Sequence, residues 1–163
     1  MIHLPHALRI AALAAASAAA FSLVGCTGMR SGAGASDYPA APTGMTGTNF
    51  SATLSSAAEV PPNASPATGA MTASLNKDTS VLTWRVTYSG LTGPATMAHF
   101  HGPAMPGANA GVVVPMPSAA SPAEGSATLT AAQIADLTAG KWYVNVHTAA
   151  NPGGEIRGQL MVK

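Results

Sequence analysis

The sequence predicts an all-β domain, an antiparallel Greek-key-like β-sandwich or small barrel of about eight strands with one short helix. Three observations predict it. From Asn49 onward, short runs alternate apolar and polar residues, the period of a half-buried strand. Turn formers break those runs at close intervals, with 17 Gly and 13 Pro in 163 residues. The composition is sparse, with 8% charged and 5% aromatic residues, and small side chains fill much of the rest. That suits strands and turns better than a helical bundle.

Each element follows in order. Phe50, Ala52 and Leu54 alternate with polar neighbours and define a first strand. Pro61-Pro62-Asn63 and Pro66 mark a loop. Met71, Ala73 and Leu75 share one face of a second strand over 70–76. Asn76-Lys77-Asp78 reads as a turn. Leu82, Trp84, Val86 and Tyr88 line the clearest strand, over 81–88. A fourth strand covers 95–101 and ends at Gly102-Pro103. Residues 103–111 hold two prolines and two glycines and read as a loop. Short strands follow at 112–114 and 125–129. Thr130 is an N-cap candidate for a helix over 131–137, with Gly140 just past its end. A strand at 142–147, a turn at Asn151-Pro152-Gly153-Gly154 and a closing strand at 155–162 complete the domain.

The segment before this domain reads as an export leader and a tether. Residues 1–9 are weakly basic and residues 10–24 are apolar, the pattern of a signal peptide too short for a comfortable membrane span. Leu23-Val24-Gly25-Cys26 resembles the bacterial lipobox. The resemblance implies cleavage before Cys26 and lipidation of its thiol. Thr27 in place of Asp implies the outer membrane. Residues 26–48, with lipidated Cys26 at their start, are rich in Gly, Ser, Ala and Pro and read as a flexible tether. The expected location is the cell envelope, lipid-anchored, facing the periplasm or the cell surface.

Charge excludes one class of partner. The leader carries Arg9, one of the seven Lys and Arg; the rest balance the six Asp and Glu. No basic face for nucleic acid results. Cys26 is the single cysteine, so no disulfide closes within the chain. Signatures of a nucleophile elbow, a zinc protease helix, a phosphate loop or a dinucleotide site are missing, so binding is favoured over catalysis.

The chemistry concentrates in the histidines. Beyond the leader there are three, in Met97-Ala98-His99-Phe100-His101-Gly102 and Tyr143-Val144-Asn145-Val146-His147-Thr148. Strand alternation puts His99 and His101 on one face, and Tyr143, Asn145 and His147 on one face of the second segment. If Phe100, Val144 and Val146 face the core, all three imidazoles lie on the opposite side and can converge. Three nitrogen ligands suit copper or zinc and leave a position open. Met97, Met105 and Met116 lie near enough in sequence to serve a soft ion. Glu155 and Arg157 read as an exposed polar pair with a structural role, Glu155 being an alternative support or fourth ligand for the histidines.

Three stretches carry a family resemblance: Phe50–Pro62 (FSATLSSAAEVPP), Ala98–Ala104 (AHFHGPA) and Trp142–Gln159 (WYVNVHTAANPGGEIRGQ). The sequence resembles the CHRD (chordin-type) domain over about residues 49–161. The resemblance implies a β-rich sandwich. Its AH-x-HG segment is similar to the copper strand of Cu/Zn superoxide dismutases, which implies His99 and His101 as copper ligands with His147 as a third. The dismutase zinc-site histidines and aspartate are missing, which speaks against that activity. The reading is a membrane-anchored domain at 49–163 binding copper ahead of zinc; the alternative is a metal-free structural or protein-binding envelope domain.

Overall fold

A computed structural model describes residues 47–163. The leader, Cys26 and the tether up to residue 46 lie outside the described residues. The strands are β1 (Gly47–Ser55), β2 (Thr68–Asn76), β3 (Val81–Ser89), β4 (Ala95–His101), β5 (Val112–Pro115), β6 (Ala123–Thr128), β7 (Tyr143–Thr148), β8 (Ile156–Gln159) and β9 (Met161–Val162). One helix, α1 (Ala131–Thr138), lies between β6 and β7. β1 begins at Gly47, two residues before the expected start, because Gly47 and Thr48 pair with Asn76 and Leu75. The expected closing strand divides into β8 and β9, and Glu155 stands before both.

The strands form one antiparallel sheet in the order β5-β4-β7-β8-β1-β2-β3-β6, with β9 also paired to β1. The sheet curls into a near-closed barrel, which is the barrel alternative of the two expected architectures. Hairpins join β1 to β2 and β2 to β3. The β3·β6, β1·β8 and β4·β7 pairings are made across the sequence.

Local chemistry explains the turns. The Asn76 side-chain oxygen accepts from the N–H groups of Asp78 (2.9 Å) and Thr79 (3.0 Å), which reverses the chain between β2 and β3. Thr130 caps α1 in a reciprocal box. Its hydroxyl accepts from Gln133 N (3.2 Å) while Gln133 Oε1 accepts from Thr130 N (2.9 Å). At the other end Gly140 adopts φ +70°, its N–H reaches Leu137 O and the Lys141 N–H reaches Asp136 O. That is a Schellman closure, and it turns the chain directly into β7.

The alternating residues fill the barrel as expected. Phe50, Leu54, Met71, Leu75, Leu82, Trp84 and Val86 come from β1, β2 and β3. Ala98 and Phe100 from β4 meet Trp142, Val144 and Val146. Phe100 packs edge-on against Trp84 at 5.1 Å between ring centres. Fully burying a side chain of this size contributes about 1.5–3 kcal/mol.

Candidate metal centre

β4 and β7 are antiparallel neighbours in the register His99↔Asn145, Phe100↔Val144 and His101↔Tyr143. Phe100, Val144 and Val146 point into the barrel core, so His99, His101 and His147 must emerge on the opposite face. The three imidazoles meet there, as the alternation predicts. Their centres lie 5.7 Å (His99–His101), 5.0 Å (His99–His147) and 6.3 Å (His101–His147) apart.

Each histidine offers one nitrogen to a common point, and these three atoms lie within 4.8 Å of one another. At bond lengths of 2.0–2.1 Å, two nitrogens sharing an ion stand at most about 4.2 Å apart. The set lies slightly wider than that limit, so binding an ion needs a small side-chain adjustment. His99 Nδ1 and His147 Nε2 are already 3.1 Å apart.

Main-chain carbonyls fix two of the rings. His101 Nδ1 donates to Ala110 O (2.9 Å) and His147 Nδ1 donates to Pro152 O (2.9 Å). A carbonyl accepts only, so each Nδ1 carries the hydrogen and each Nε2 keeps its lone pair. Outer-shell carbonyls of this kind orient metal-binding histidines. His101 Nε2 is buried and has no protein partner. His147 Nε2 faces Asn145 Oδ1 at 2.9 Å as well as His99. The centre is therefore rich in lone pairs directed at one point. Burial holds the pKa values of His99 and His147 below the usual histidine range, and the neighbouring imidazoles add to this. The neutral form is the one that binds metal.

A second tier supports these rings. The Tyr143 ring stacks flat on His101 at 4.8 Å between centres. The Arg157 guanidinium covers the other face of Tyr143, its Cζ 3.3 Å from the ring centre. Arg157 also donates to Asn109 Oδ1 (3.0 Å) and Ala108 O (2.7 Å). It thereby anchors the loop whose Ala110 carbonyl orients His101. Gly102 lets this loop leave β4 against Trp142, since a Cβ there would stand 2.6 Å from Trp142 Cδ1.

The expectation of an exposed Glu155–Arg157 pair is corrected. Glu155 is 0% exposed and Arg157 2%. The loops of 56–67, 102–111 and 149–155 close over this face, which simple alternation along a strand does not reveal. Glu155 is no ligand. Its oxygens accept from Ser65 Oγ (2.6 Å), Thr92 N and Oγ1 (both 2.8 Å) and Thr148 Oγ1 (2.6 Å). Burial pushes its pKa up, but these donors prevail and bring it down to about 2. Its role is structural, tying three loops together. Met116 is also removed from the site, because it packs against the core. Tyr143 and Asn145 were placed on the histidine face by alternation, but their contacts were not predicted.

Glu59 is a buried carboxyl that the sequence left unremarked. Its Oε1 has no hydrogen-bond partner, and burial raises its pKa to about 7 against the pull of Arg157 and the Val60 N–H. Gly154, at φ +130°, admits it: a Cβ there would lie 2.3 Å from Glu59 Oε1. A cleft of about 960 Å³ lies elsewhere, lined by Thr72, Ser74, Thr83, Arg85 and Glu124 among others. It contains no histidine, and the tri-imidazole chemistry does not involve it.

Fold and site together define a small antiparallel β-barrel with an imidazole cluster, able to hold a metal ion, on its outer face. Residues 50–160 match the CHRD domain, and the chain belongs to that family. No curated protein and no solved structure matches the chain.

Proposed function

We propose that this protein is a lipid-anchored lipoprotein of the cell envelope whose CHRD domain binds a transition metal ion, copper ahead of zinc, through His99, His101 and His147. The observation that carries the metal reading is the convergence of three ligand nitrogens within 4.8 Å, one of them the buried, unpartnered Nε2 of His101. A buried polar atom left without a partner costs about 1–3 kcal/mol. A bound cation accepting the His101 lone pair removes that cost. Copper is preferred because divalent affinity for nitrogen sites peaks at Cu²⁺. The anchor rests on the leader and on Leu23-Val24-Gly25-Cys26, and the outer-membrane assignment rests on Thr27.

The test is calorimetric titration of the full chain carrying Cys26→Ser, which removes the competing thiol. The expected result is one copper per chain. Metal at a hundredfold excess over Kd adds about 2.7 kcal/mol of stability. No heat and no thermal shift with either Cu²⁺ or Zn²⁺ contradicts the reading. Labelled fatty acid entering the wild-type chain but not Cys26→Ser tests the anchor separately.

A further inference from the structure

We propose that Met97 is a fourth, thioether ligand of this centre and makes it a site for Cu(I), open to exchange with a partner carrying soft ligands. The inference rests on the tri-imidazole reading and deepens it.

Register places the sulfur. Met97 is the direct cross-strand partner of His147, in the same unbroken stretch of register that carries His99 and His101. Residues 97, 99 and 101 share one face of β4. Directly opposed residues of an antiparallel pair have Cβ atoms about 4.5–5.5 Å apart. The Met97 side chain therefore starts beside His147 and two residues from His99. Its unbranched, flexible stem can turn toward either.

Burial says which side of the centre is open. His101 and His147 are buried and His99 is half-buried. Met97 is 47% exposed. An ion held by the three imidazoles thus meets solvent on the His99–Met97 side, where the only soft donor on this face of β4 stands. The other two methionines raised by the sequence do not compete. Met116 packs on the core, and Met105 is exposed in the loop beyond β4 with no strand partner.

The donor set decides the chemistry. Imidazole alone serves Zn²⁺ and Cu²⁺, whereas a thioether selects Cu(I). A sulfur at the rim can pass its ion to an incoming soft ligand while the buried imidazoles stay in place. The ligand class is therefore cuprous ion.

The experiment compares the Cys26→Ser chain with the same chain bearing Met97→Leu. Leucine matches methionine in size, and the position is exposed, so the fold is retained. Anaerobic Cu(I) competition against a chromophoric chelator is expected to show affinity falling by about tenfold or more, which corresponds to 1.4 kcal/mol per decade. Zn²⁺ affinity should change much less. Copper-edge absorption should show a sulfur scatterer in the parent chain that Met97→Leu abolishes. Equal Cu(I) affinities and an all-nitrogen parent spectrum, with copper binding still lost in His147→Ala, overturn the thioether and leave the tri-imidazole reading standing. A parent chain that binds no copper overturns both.

Discussion

The outer surface of the barrel divides into two halves. Over β2, β3 and β6 the outward side chains, among them Thr72, Ser74, Thr83, Arg85 and Glu124, stand exposed. Over β4, β7 and β8 most outward side chains, His101, Tyr143, Asn145, His147 and Arg157, are buried, His99 is half-buried and Met97 stands exposed. Both halves obey the same alternation, and the loops make the difference. Exposed hydroxyls keep their water and cost nothing. Buried polar groups must find partners or lose about 1–3 kcal/mol each. Most of them do find partners: Glu155, Arg157 and His147 are engaged. His101 Nε2, Glu59 Oε1 and Gln159 Oε1 do not. The covered half is thus a second, polar interior, and its one unsatisfied imidazole nitrogen sits in the metal cluster.

Substitutions sharpen that contrast. The largest effect belongs to the inner face of the same strands: Phe100→Ala should cost about 3–5 kcal/mol in denaturant unfolding. Next comes Arg157→Met, which deletes the buried hydrogen bonds to Ala108 and Asn109. It should cost about 1.5–3 kcal/mol. It should also weaken copper binding by about 10–100-fold, because the loop that orients His101 loses its anchor. Copper affinity equal to that of the parent would show that the Arg157–Tyr143 tier is only packing.

The two buried carboxyls predict opposite pH trends. Glu155 is depressed from 4.5 to about 2, so its stabilisation is complete above pH 4.5 and is lost as pH falls toward 2. Glu59 is raised from 4.5 to about 7, so the folded state holds the extra proton between those values. Its contribution to stability therefore declines as pH rises from 4.5 to 7. Glu59→Gln should flatten that decline in melts between pH 5 and 8, and an unchanged slope would remove Glu59 as its source. The smallest effect belongs to the exposed half, where Ser74→Ala should stay within about 0.5 kcal/mol of the parent.

Much of this was legible in the sequence. Alternation placed Phe50, Leu54, Met71, Leu82 and Trp84 in the core and the three histidines on one face, because side-chain direction along a strand is local. Thr130 and Gly140 marked the helix ends for the same reason. The burial of Glu155 and Arg157 was not legible. It depends on loops from distant parts of the chain folding over β7 and β8, and no local period encodes that. Glu59 was missed because it follows a strand among prolines, and its interest comes only from Arg157 and Gly154 beside it. The His101–Tyr143–Arg157 stack likewise needed the β4·β7 and β7·β8 registers.

The most direct measurement is pulsed electron paramagnetic resonance on the chain loaded with one equivalent of Cu²⁺. The account predicts nitrogen modulation from three coordinated imidazoles, with one imidazole lost in His147→Ala. A spectrum showing a single imidazole, or one that His147→Ala leaves unaltered, contradicts it.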